Sequence, residues 1–402
     1  MRRIMMWILY AIGALVGLIV LFVAYTTIQF ARLPDPAAAS SESPGTAEEQ
    51  LEGKRNLNEF LEPIRRQYKL PALAAAAVKD GRIAALGAVG VRRASGNERV
   101  NLYDCFHIGS CTKSMTATLC AILVQQGKLK WDSTIGEVFA DQKNKIASEF
   151  HGVTLAQLLM HRSGLPEDRS PDRKLWPKIW GLSGPMLEQR RAFVELVLAE
   201  KPTVAPGSKH QYSNSGYTVA GAMCERVTGK AWEDLMREQL FAPLEMRTAG
   251  FGPPGTADEV DQPWGHLVRG ATWKPIPPGR DADNPAVISP AGTVHCSLAD
   301  WAKYAAFHLR GARGEEKLLP AAVFEKLHTP LPDDDKAYAY GWLVTEREWA
   351  GGKALTHAGS NTMWFAVVWI TPKRDAAYLA ATNVGHDTAF TACDATIGKL
   401  IE

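Results

Sequence analysis

The sequence predicts a mixed α/β (α+β) fold in which an antiparallel sheet is flanked by N- and C-terminal helices and carries an inserted all-helical subdomain. Three observations lead to this prediction. A helical pattern followed by two strand-like runs opens the folded region, and two strand-like runs followed by a helical pattern close it. Between them, roughly over residues 110–300, apolar residues recur mostly at helical spacing.

The opening elements are a helix and a hairpin. Apolar residues recur at helical spacing over residues 57–68. Two strand-like runs, residues 73–78 and 83–91, flank Asp80 and Gly81, a dipeptide that tight hairpins favour because both residues can adopt positive φ. An antiparallel sheet is therefore expected to begin here.

The middle and the closing elements complete the pattern. Strand-like runs at residues 364–370 and 376–382 flank a turn, and residues 388–401 predict a closing helix. The helical segments of the middle are residues 114–127, 154–160, 191–199, 217–229, 231–240 and 297–309. Because both ends are sheet-forming, we expect them to join into one α/β unit around the helical insert.

Composition excludes several classes of protein. The chain has 402 residues, of which 46% are hydrophobic and 22% charged, as in ordinary globular proteins. The 45 basic and 43 acidic residues leave a net charge of +2 without a long basic run, so no nucleic-acid partner is predicted. The six cysteines show no C-x-x-C spacing and the ten histidines no H-E-x-x-H motif, so neither a metal nor a cofactor is predicted.

The N-terminal segment has a separate character. Residues 4–28 carry no charge and, at 1.5 Å per residue, are long enough to cross a hydrocarbon core of about 30 Å. Arg2 and Arg3 precede this segment, which predicts a cytoplasmic N-terminus and a single-pass anchor in the inner membrane, with the catalytic body on the extracytoplasmic side. Cleavage of the segment as a signal peptide, with secretion, is the alternative.

These observations define the predicted organisation. The segments are a transmembrane signal anchor (1–31), a flexible Pro-, Ala- and Ser-rich linker (32–54) and a folded domain (55–402) that consists of an α/β part (55–110 and 290–402) and a mostly helical part (111–289).

The first chemical motif is S-x-x-K, formed by Ser110 and Lys113. Ser110 precedes an apolar-periodic helix, so it lies where helix N–H groups and the helix dipole favour developing negative charge. Lys113 is three residues further on and shares a helix face with Ser110. A serine hydroxyl needs a neighbouring base, and a desolvated lysine can serve. The alternative is an N-cap serine followed by a solvated lysine.

Two further motifs follow. Tyr212 and Asn214 lie in a polar turn before a helix, where a phenol beside a lysine can exchange protons and an amide can bind a peptide-like group. An ordinary turn would have the same composition. His357, Gly359 and Ser360 follow a strand-like stretch, where the glycine allows a substrate to approach the backbone closely and the next N–H can point at an oxyanion.

The ordered set S-x-x-K, Y-x-N and H-x-G resembles the serine β-lactamase and penicillin-binding-protein superfamily, and within it the branch of class C β-lactamases, DD-peptidases and related esterases. Residues 153–166 and 290–301, and the stretch Tyr340-Gly341-Trp342, also resemble landmarks of that branch. The resemblance covers about residues 55–402. It implies a β-lactamase/transpeptidase-like fold with the cleft between the α/β and helical parts.

The resemblance also implies roles for individual residues. Ser110 would be the acylated nucleophile, Lys113 its activating partner and Tyr212 the proton shuttle. The backbone N–H groups of Ser110 and Ser360 would form the oxyanion hole. The residues implied in substrate binding are Asn214, His357, Gly359 and Ser360.

One residue departs from the family pattern. His357 stands where many β-lactamases and penicillin-binding proteins have a lysine, and histidine is mostly neutral at pH 7, which disfavours efficient β-lactam hydrolysis. We therefore predict a membrane-anchored serine hydrolase that forms an acyl-enzyme with a small-molecule or peptide substrate: an ester, a D-amino peptide or a β-lactam-like amide. The alternative is a catalytically weak penicillin-binding-type or regulatory protein of the same fold. The sequence leaves the oligomeric state open.

Overall fold

The computed structural model describes residues 51–166, 175–270 and 272–402. The predicted membrane anchor and all but the last four residues of the predicted linker lie outside these residues. Within the part of the chain that is described, no helix combines the length and the apolar character needed to cross a bilayer.

The strands of the described chain form one large sheet and two small ones. In chain order they are β1 (Arg55–Asn56), β2 (Ala72–Lys79), β3 (Arg82–Gly90), β4 (Phe106–His107), β5 (Gly250–Phe251), β6 (Gly265–Arg269), β7 (Thr272–Ile276), β8 (Val294–Cys296), β9 (Tyr338–Ala339), β10 (Trp342–Arg347), β11 (Gly352–Ser360), β12 (Phe365–Thr371) and β13 (Ala376–Thr382).

The large sheet joins the two ends of the folded region. Its eight strands follow the order β1-β3-β2-β13-β12-β11-β10-β9, and the β13–β2 ladder connects the C-terminal strands to the N-terminal hairpin. Every neighbouring pair is antiparallel except β1 and β3, which are parallel. The antiparallel sheet built from both ends is thus confirmed.

The described chain also contains α-helices. Those in the described residues are α1 (Asn58–Gln67), α2 (Thr112–Gln125), α3 (Ile135–Val138), α4 (Leu155–Leu159), α5 (Leu175–Trp180), α6 (Met186–Leu198), α7 (Asn214–Thr228), α8 (Trp232–Met236), α9 (Ser289–Gly292), α10 (Leu298–Ala312), α11 (Ala321–Leu327) and α12 (Asp387–Ile401). The region expected to be mostly helical also contains the short strands β5, β6 and β7. Their two to five residues are too short to produce a strong alternating pattern.

The large sheet is covered on both faces. Leu73 and Ala75 of β2 belong to a buried cluster with residues of α1 and α12, whereas Ala74 and Ala76 pack in the main core with α10 and α2. Successive side chains of a strand point to opposite faces, so the nearly all-apolar β2 is explained by burial on both sides. The α/β class of the fold is confirmed.

The interior strand β11 of this sheet positions the site. Strand β11 contacts the short 3₁₀ helix Gly109–Cys111, which leads directly into α2. Strand β4, just before that helix, pairs with β8, and β8 follows α9. The start of α2 therefore lies between β11 on one side and α9 on the other.

Candidate active site

Ser110 lies on the 3₁₀ helix that opens α2. Gly109 before it has φ +51°, a left-handed conformation that glycine adopts without a Cβ penalty. Ser110 is partly exposed, whereas nearly all of α2 behind it is buried. The sequence predicts a serine at a helix N-terminus. In the structure, Ser110 lies in a 3₁₀ turn that leads directly into the α-helix.

The Ser110 hydroxyl contacts two side chains that can exchange protons. Lys113 Nζ donates to Ser110 Oγ at 3.1 Å, and the Tyr212 hydroxyl donates to the same Oγ at 2.8 Å. Residues 110 and 212 are far apart in sequence, so this contact is made by the packing of α2 against α7. The three side chains therefore place a serine hydroxyl beside two groups that are chemically able to exchange protons.

Lys113 is completely buried, and its Nζ donates to three oxygens. These are Ser110 Oγ, Asn214 Oδ1 at 2.6 Å and the backbone carbonyl of Ala291 at 2.7 Å. An ammonium has three N–H donors, whereas a neutral amine has two and a lone pair that would face the third oxygen. The geometry thus matches the ammonium form. The Nζ atom is also 4.8 Å from the centre of the Tyr212 ring.

The loop that carries Tyr212 is held at the N-terminus of α7. Ser213 caps this helix by accepting from the N–H of Gly216, and its own N–H donates to His161 Nδ1 at 3.1 Å. The His161 and Tyr212 rings lie 4.3 Å apart. Burial, with a further contribution from Lys113, holds the pKa of His161 well below its usual value, so this ring is neutral.

The third motif meets Ser110 through its backbone. A Cβ on Gly359 would lie 2.5 Å from the Ser110 nitrogen, and a Cβ on Gly109 would lie 2.4 Å from the Ser360 nitrogen. Only glycine fits at these two positions, because any side chain would overlap the opposite backbone. The N–H-bearing backbones of Ser110 and Ser360 consequently lie side by side. Two neighbouring N–H groups beside a nucleophile are the arrangement of an oxyanion hole.

His357 lies within β11 and is buried. Its Nδ1 bonds to the carbonyl of Ala358 at 2.7 Å, and its Nε2 lies 3.2 Å from the Tyr338 hydroxyl. Burial and the nearby Lys113 charge lower the pKa of His357 to about 4. The ring is therefore neutral at pH 7, and both nitrogens bond to protein groups.

The predicted site residues come together with some differences in contact. Ser110, Lys113, Tyr212 and Asn214 form one hydrogen-bonded cluster, with Ser360 beside it. Asn214 directs its Oδ1 to Lys113, and its expected contact with a substrate amide stays a prediction. His357 is only 5% exposed. Its expected role in binding substrate stays a prediction.

Sequence reasoning did not single out two groups at the site. His161 lies in the stretch 153–166, and the carbonyl of Ala291 lies in the stretch 290–301. Both stretches resemble landmarks of the superfamily, but nothing in their local pattern indicates which atom faces the site. The left-handed backbone of His161, with φ +56°, is visible only in the structure.

Other features of the described residues lie apart from this cluster. A cavity of about 650 Å³ is lined by residues that include Trp180, Arg237 and Arg280, but not by Ser110, Lys113 or Tyr212. The same described residues contain no group of three or more histidine, cysteine or carboxylate side chains placed to hold a metal ion.

The fold and the S-x-x-K motif of this cluster define a class of protein, the β-lactamase-fold family of serine hydrolases. The Beta-lactamase family model matches residues 55–400. The chain belongs to this family.

Relatives and solved structures agree with the assignment. Penicillin-binding protein 4 of Amycolatopsis lactamdurans is 25% identical over 341 residues, which cover 83% of this chain and 86% of that protein. The unguisins hydrolase ungD' of Aspergillus campestris is 24% identical over 73% of this chain and 55% of its own length. The octameric penicillin-binding protein homologue from Pyrococcus abyssi shares the fold, with a TM-score of 0.68 at 22% identity over 88% of this chain and 78% of that chain.

Proposed function

We propose that this protein hydrolyses an ester or amide through an acyl-enzyme on Ser110. The observation that carries the proposal is the double contact of Ser110 Oγ with Lys113 Nζ at 3.1 Å and the Tyr212 hydroxyl at 2.8 Å. A hydroxyl placed beside a cation and a phenol can lose its proton as it attacks a carbonyl carbon.

Before acylation, the partly exposed Tyr212 phenol releases its proton to solvent, and its hydrogen bond with Ser110 Oγ then reverses. The resulting phenolate accepts the Ser110 proton in the acylation step. The Lys113 ammonium stabilises that phenolate, and its bonds to Asn214 and Ala291 hold it in place. As Ser110 Oγ bonds to the substrate carbon, the oxyanion accepts from the N–H groups of Ser110 and Ser360. Collapse of the oxyanion breaks the bond to the leaving group, which takes the proton from Tyr212.

Deacylation repeats the sequence with water. Water attacks the acyl carbon, gives a proton to Tyr212 and forms a second oxyanion in the same hole. The bond to Ser110 Oγ breaks, Tyr212 returns the proton to Oγ, and the free acid leaves. The single tyrosine thus serves as base and then acid in both halves of the reaction.

The electrostatics of His357 bear on the substrate class. Substrates such as β-lactams and D-alanyl peptides carry a carboxylate, which a cation at this position would attract. With its pKa lowered to about 4, His357 supplies no charge at pH 7. We therefore propose that esters and amides without a neighbouring carboxylate are hydrolysed faster than β-lactams.

A substrate panel tests this proposal. The full-length protein is assayed with p-nitrophenyl butyrate, D-alanine p-nitroanilide and nitrocefin, with Ser110→Ala as the control. We expect turnover of the ester or the anilide to exceed that of nitrocefin and to vanish in the control. Preferred hydrolysis of nitrocefin would contradict the substrate class. Failure of a fluorophosphonate probe to label the wild-type protein would instead favour a binding protein.

We also propose that the catalytic body works outside the cytoplasm, tethered by residues 4–28. The support is the charge-free stretch preceded by Arg2 and Arg3. A reporter fused after Glu402 is expected to be active only outside the cytoplasm, and cytoplasmic activity would overturn the orientation. Intact-mass analysis of the exported protein distinguishes an uncleaved anchor from a cleaved signal peptide.

A further inference from the structure

A buried carboxylate lies between the two backbone segments of the oxyanion hole. Asp283 Oδ2 is 2.8 Å from His107 Nε2, and Asp283 Oδ1 accepts from Asn361 Nδ2 at 2.9 Å. His107 lies three residues before Ser110, and Asn361 directly follows Ser360. One side chain therefore connects the two segments that supply the N–H donors.

The contact on the Ser110 side reaches the backbone directly. His107 is fully buried, and its Nδ1 accepts from the N–H of Gly109 at 3.1 Å. Since Nδ1 is an acceptor, the ring proton lies on Nε2, which donates to Asp283. The carboxylate thereby fixes the His107 tautomer that holds Gly109, the residue bonded to Ser110.

The contact on the Ser360 side is equally local. Asn361 is 6% exposed, and its Oδ1 accepts from the N–H of Met363 at 3.2 Å while its amide donates to Asp283. This pair of bonds fixes the turn that follows Ser360. Asp283 also accepts from the N–H of Asn284 at 2.8 Å, so its two oxygens receive three donors.

We propose that Asp283 is a positioning residue that holds the N–H groups of Ser110 and Ser360 in register as one oxyanion hole. This inference rests on the proposed acyl-transfer function. Its physical basis is burial: Asp283 is 8% exposed, and hydrogen bonds to a charged group are strong in a low-dielectric interior. Loss of the carboxylate frees both segments at once, whereas loss of either donor frees only one.

The consequence for catalysis is specific. Substrate can still enter the cleft, but the two N–H groups no longer converge on the developing oxyanion. Misplacing or losing such a donor costs roughly 10²-fold in rate. Asp283→Ala is therefore expected to slow acylation by about that factor with little change in KM. Asp283→Asn preserves the shape of the side chain but directs an NH₂ group at one of the N–H donors that now bond to the carboxylate. This variant should slow acylation as well.

The test follows acylation by p-nitrophenyl pivalate, whose hindered acyl group slows deacylation. The burst of nitrophenolate gives the acylation rate, and infrared spectroscopy gives the carbonyl stretch of the acyl-enzyme. A carbonyl polarised by the hole absorbs at lower frequency than a free ester. We expect both Asp283 variants to show the slower burst and a carbonyl shifted toward the free ester. Asp283→Asn provides this readout if Asp283→Ala does not fold.

Asp300→Ala is the matched control. Asp300 is 3% exposed and accepts from the N–H and hydroxyl of Thr248, so this variant also removes a buried carboxylate. Its burst rate and carbonyl frequency should equal those of wild type. A wild-type burst rate and frequency in the Asp283 variants, or the same losses in Asp300→Ala, would overturn the inference. Absence of a Ser110-dependent burst in the wild-type protein would overturn the proposed function and the inference with it.

Discussion

Lys113 and Arg190 are both completely buried cations, yet they bond to different kinds of acceptor. Arg190 on α6 donates to the carboxylates of Glu225 and Glu233. Lys113 on α2 donates to a hydroxyl, an amide oxygen and a peptide oxygen. Burial disfavours the Arg190 charge, but its bonds to Glu233 and Glu225 outweigh that cost and raise the pKa of Arg190.

This difference indicates that the Arg190 charge stabilises the fold, whereas the Lys113 charge takes part in the proposed reaction. Two carboxylates fully balance Arg190, and the result is a fixed link between α6, α7 and α8. The oxygens around Lys113 hold the ammonium in place without carrying a charge themselves. Its field acts on the Ser110 hydroxyl and on the Tyr212 ring, where negative charge develops in the proposed reaction.

The largest expected effect is on stability at Arg190. Arg190→Ala leaves Glu225 and Glu233 without their cation, and breaking a buried pair costs about 3–5 kcal/mol in the free energy of unfolding. Urea denaturation measures this loss. The neighbouring Arg191 is 56% exposed in its ion pair with Asp141, so Arg191→Ala should stay within about 0.5 kcal/mol of wild type. Equal losses of unfolding free energy in the two variants would contradict the structural role of Arg190.

The next effect is on rate at Lys113. Lys113→Ala should slow acylation by an activated ester at least about 10²-fold, because it removes the cation that stabilises the Tyr212 phenolate. Stopped-flow release of nitrophenolate measures the rate, and circular dichroism checks that the variant is folded. Hydrolysis at the wild-type rate in folded Lys113→Ala protein would exclude the assigned role.

A smaller effect is expected when the surroundings of Lys113 are made to resemble those of Arg190. Asn214→Asp gives Lys113 a carboxylate in place of the amide oxygen now 2.6 Å away. An opposite charge at such a distance shifts the pKa of its partner by about 1–3 units. The Lys113 ammonium would then be neutralised by a carboxylate, as the Arg190 guanidinium is. We expect acylation to fall about tenfold while thermal stability is retained or raised. Asn214→Ala, which removes the acceptor without adding charge, is the comparison, and a faster Asn214→Asp enzyme would contradict the account.

The last effect is spread over a range of pH and concerns a buried base that stays neutral. The pKa of His357 is about 4 in the folded protein against an ordinary value of 6.5, so the unfolded chain binds this proton first as pH falls. Its contribution is therefore fully present above pH 6.5 and is lost as pH falls from 6.5 to 4. His357→Gln should flatten the fall in unfolding free energy by up to about 1.4 kcal/mol per pH unit. An unchanged slope between pH 6.5 and 4 would contradict burial of this ring.

The sequence was sufficient for features that local patterns encode. The hairpin around Asp80 and Gly81 and the strand Ala376–Thr382 follow from apolar runs and turn residues. The order of the three motifs also indicated which distant residues would lie together. That prediction came from resemblance to a known superfamily and not from the physical properties of the residues. The sequence pattern placed His357, Gly359 and Ser360 after a strand-like stretch, whereas β11 continues to Ser360. The pattern does not show this continuation because alanine and glycine have weak strand preference.

Contacts between distant segments could not be predicted in this way. The bonds from Lys113 to Ala291 and from Ser213 to His161 depend on how α2, α7 and α9 pack. A backbone carbonyl has no sequence signature at all. The neutrality of His357 likewise follows from burial and from the nearby Lys113, which only the folded chain brings together.

The central claim is that Ser110 is the acylated nucleophile. Peptide mapping by mass spectrometry, after the full-length protein reacts with a fluorophosphonate, tests it most directly. The account predicts one adduct, on the peptide containing Ser110, absent in Ser110→Ala and formed slowly in Lys113→Ala and Tyr212→Phe. An adduct on another residue, or ester hydrolysis that persists in Ser110→Ala, would contradict it.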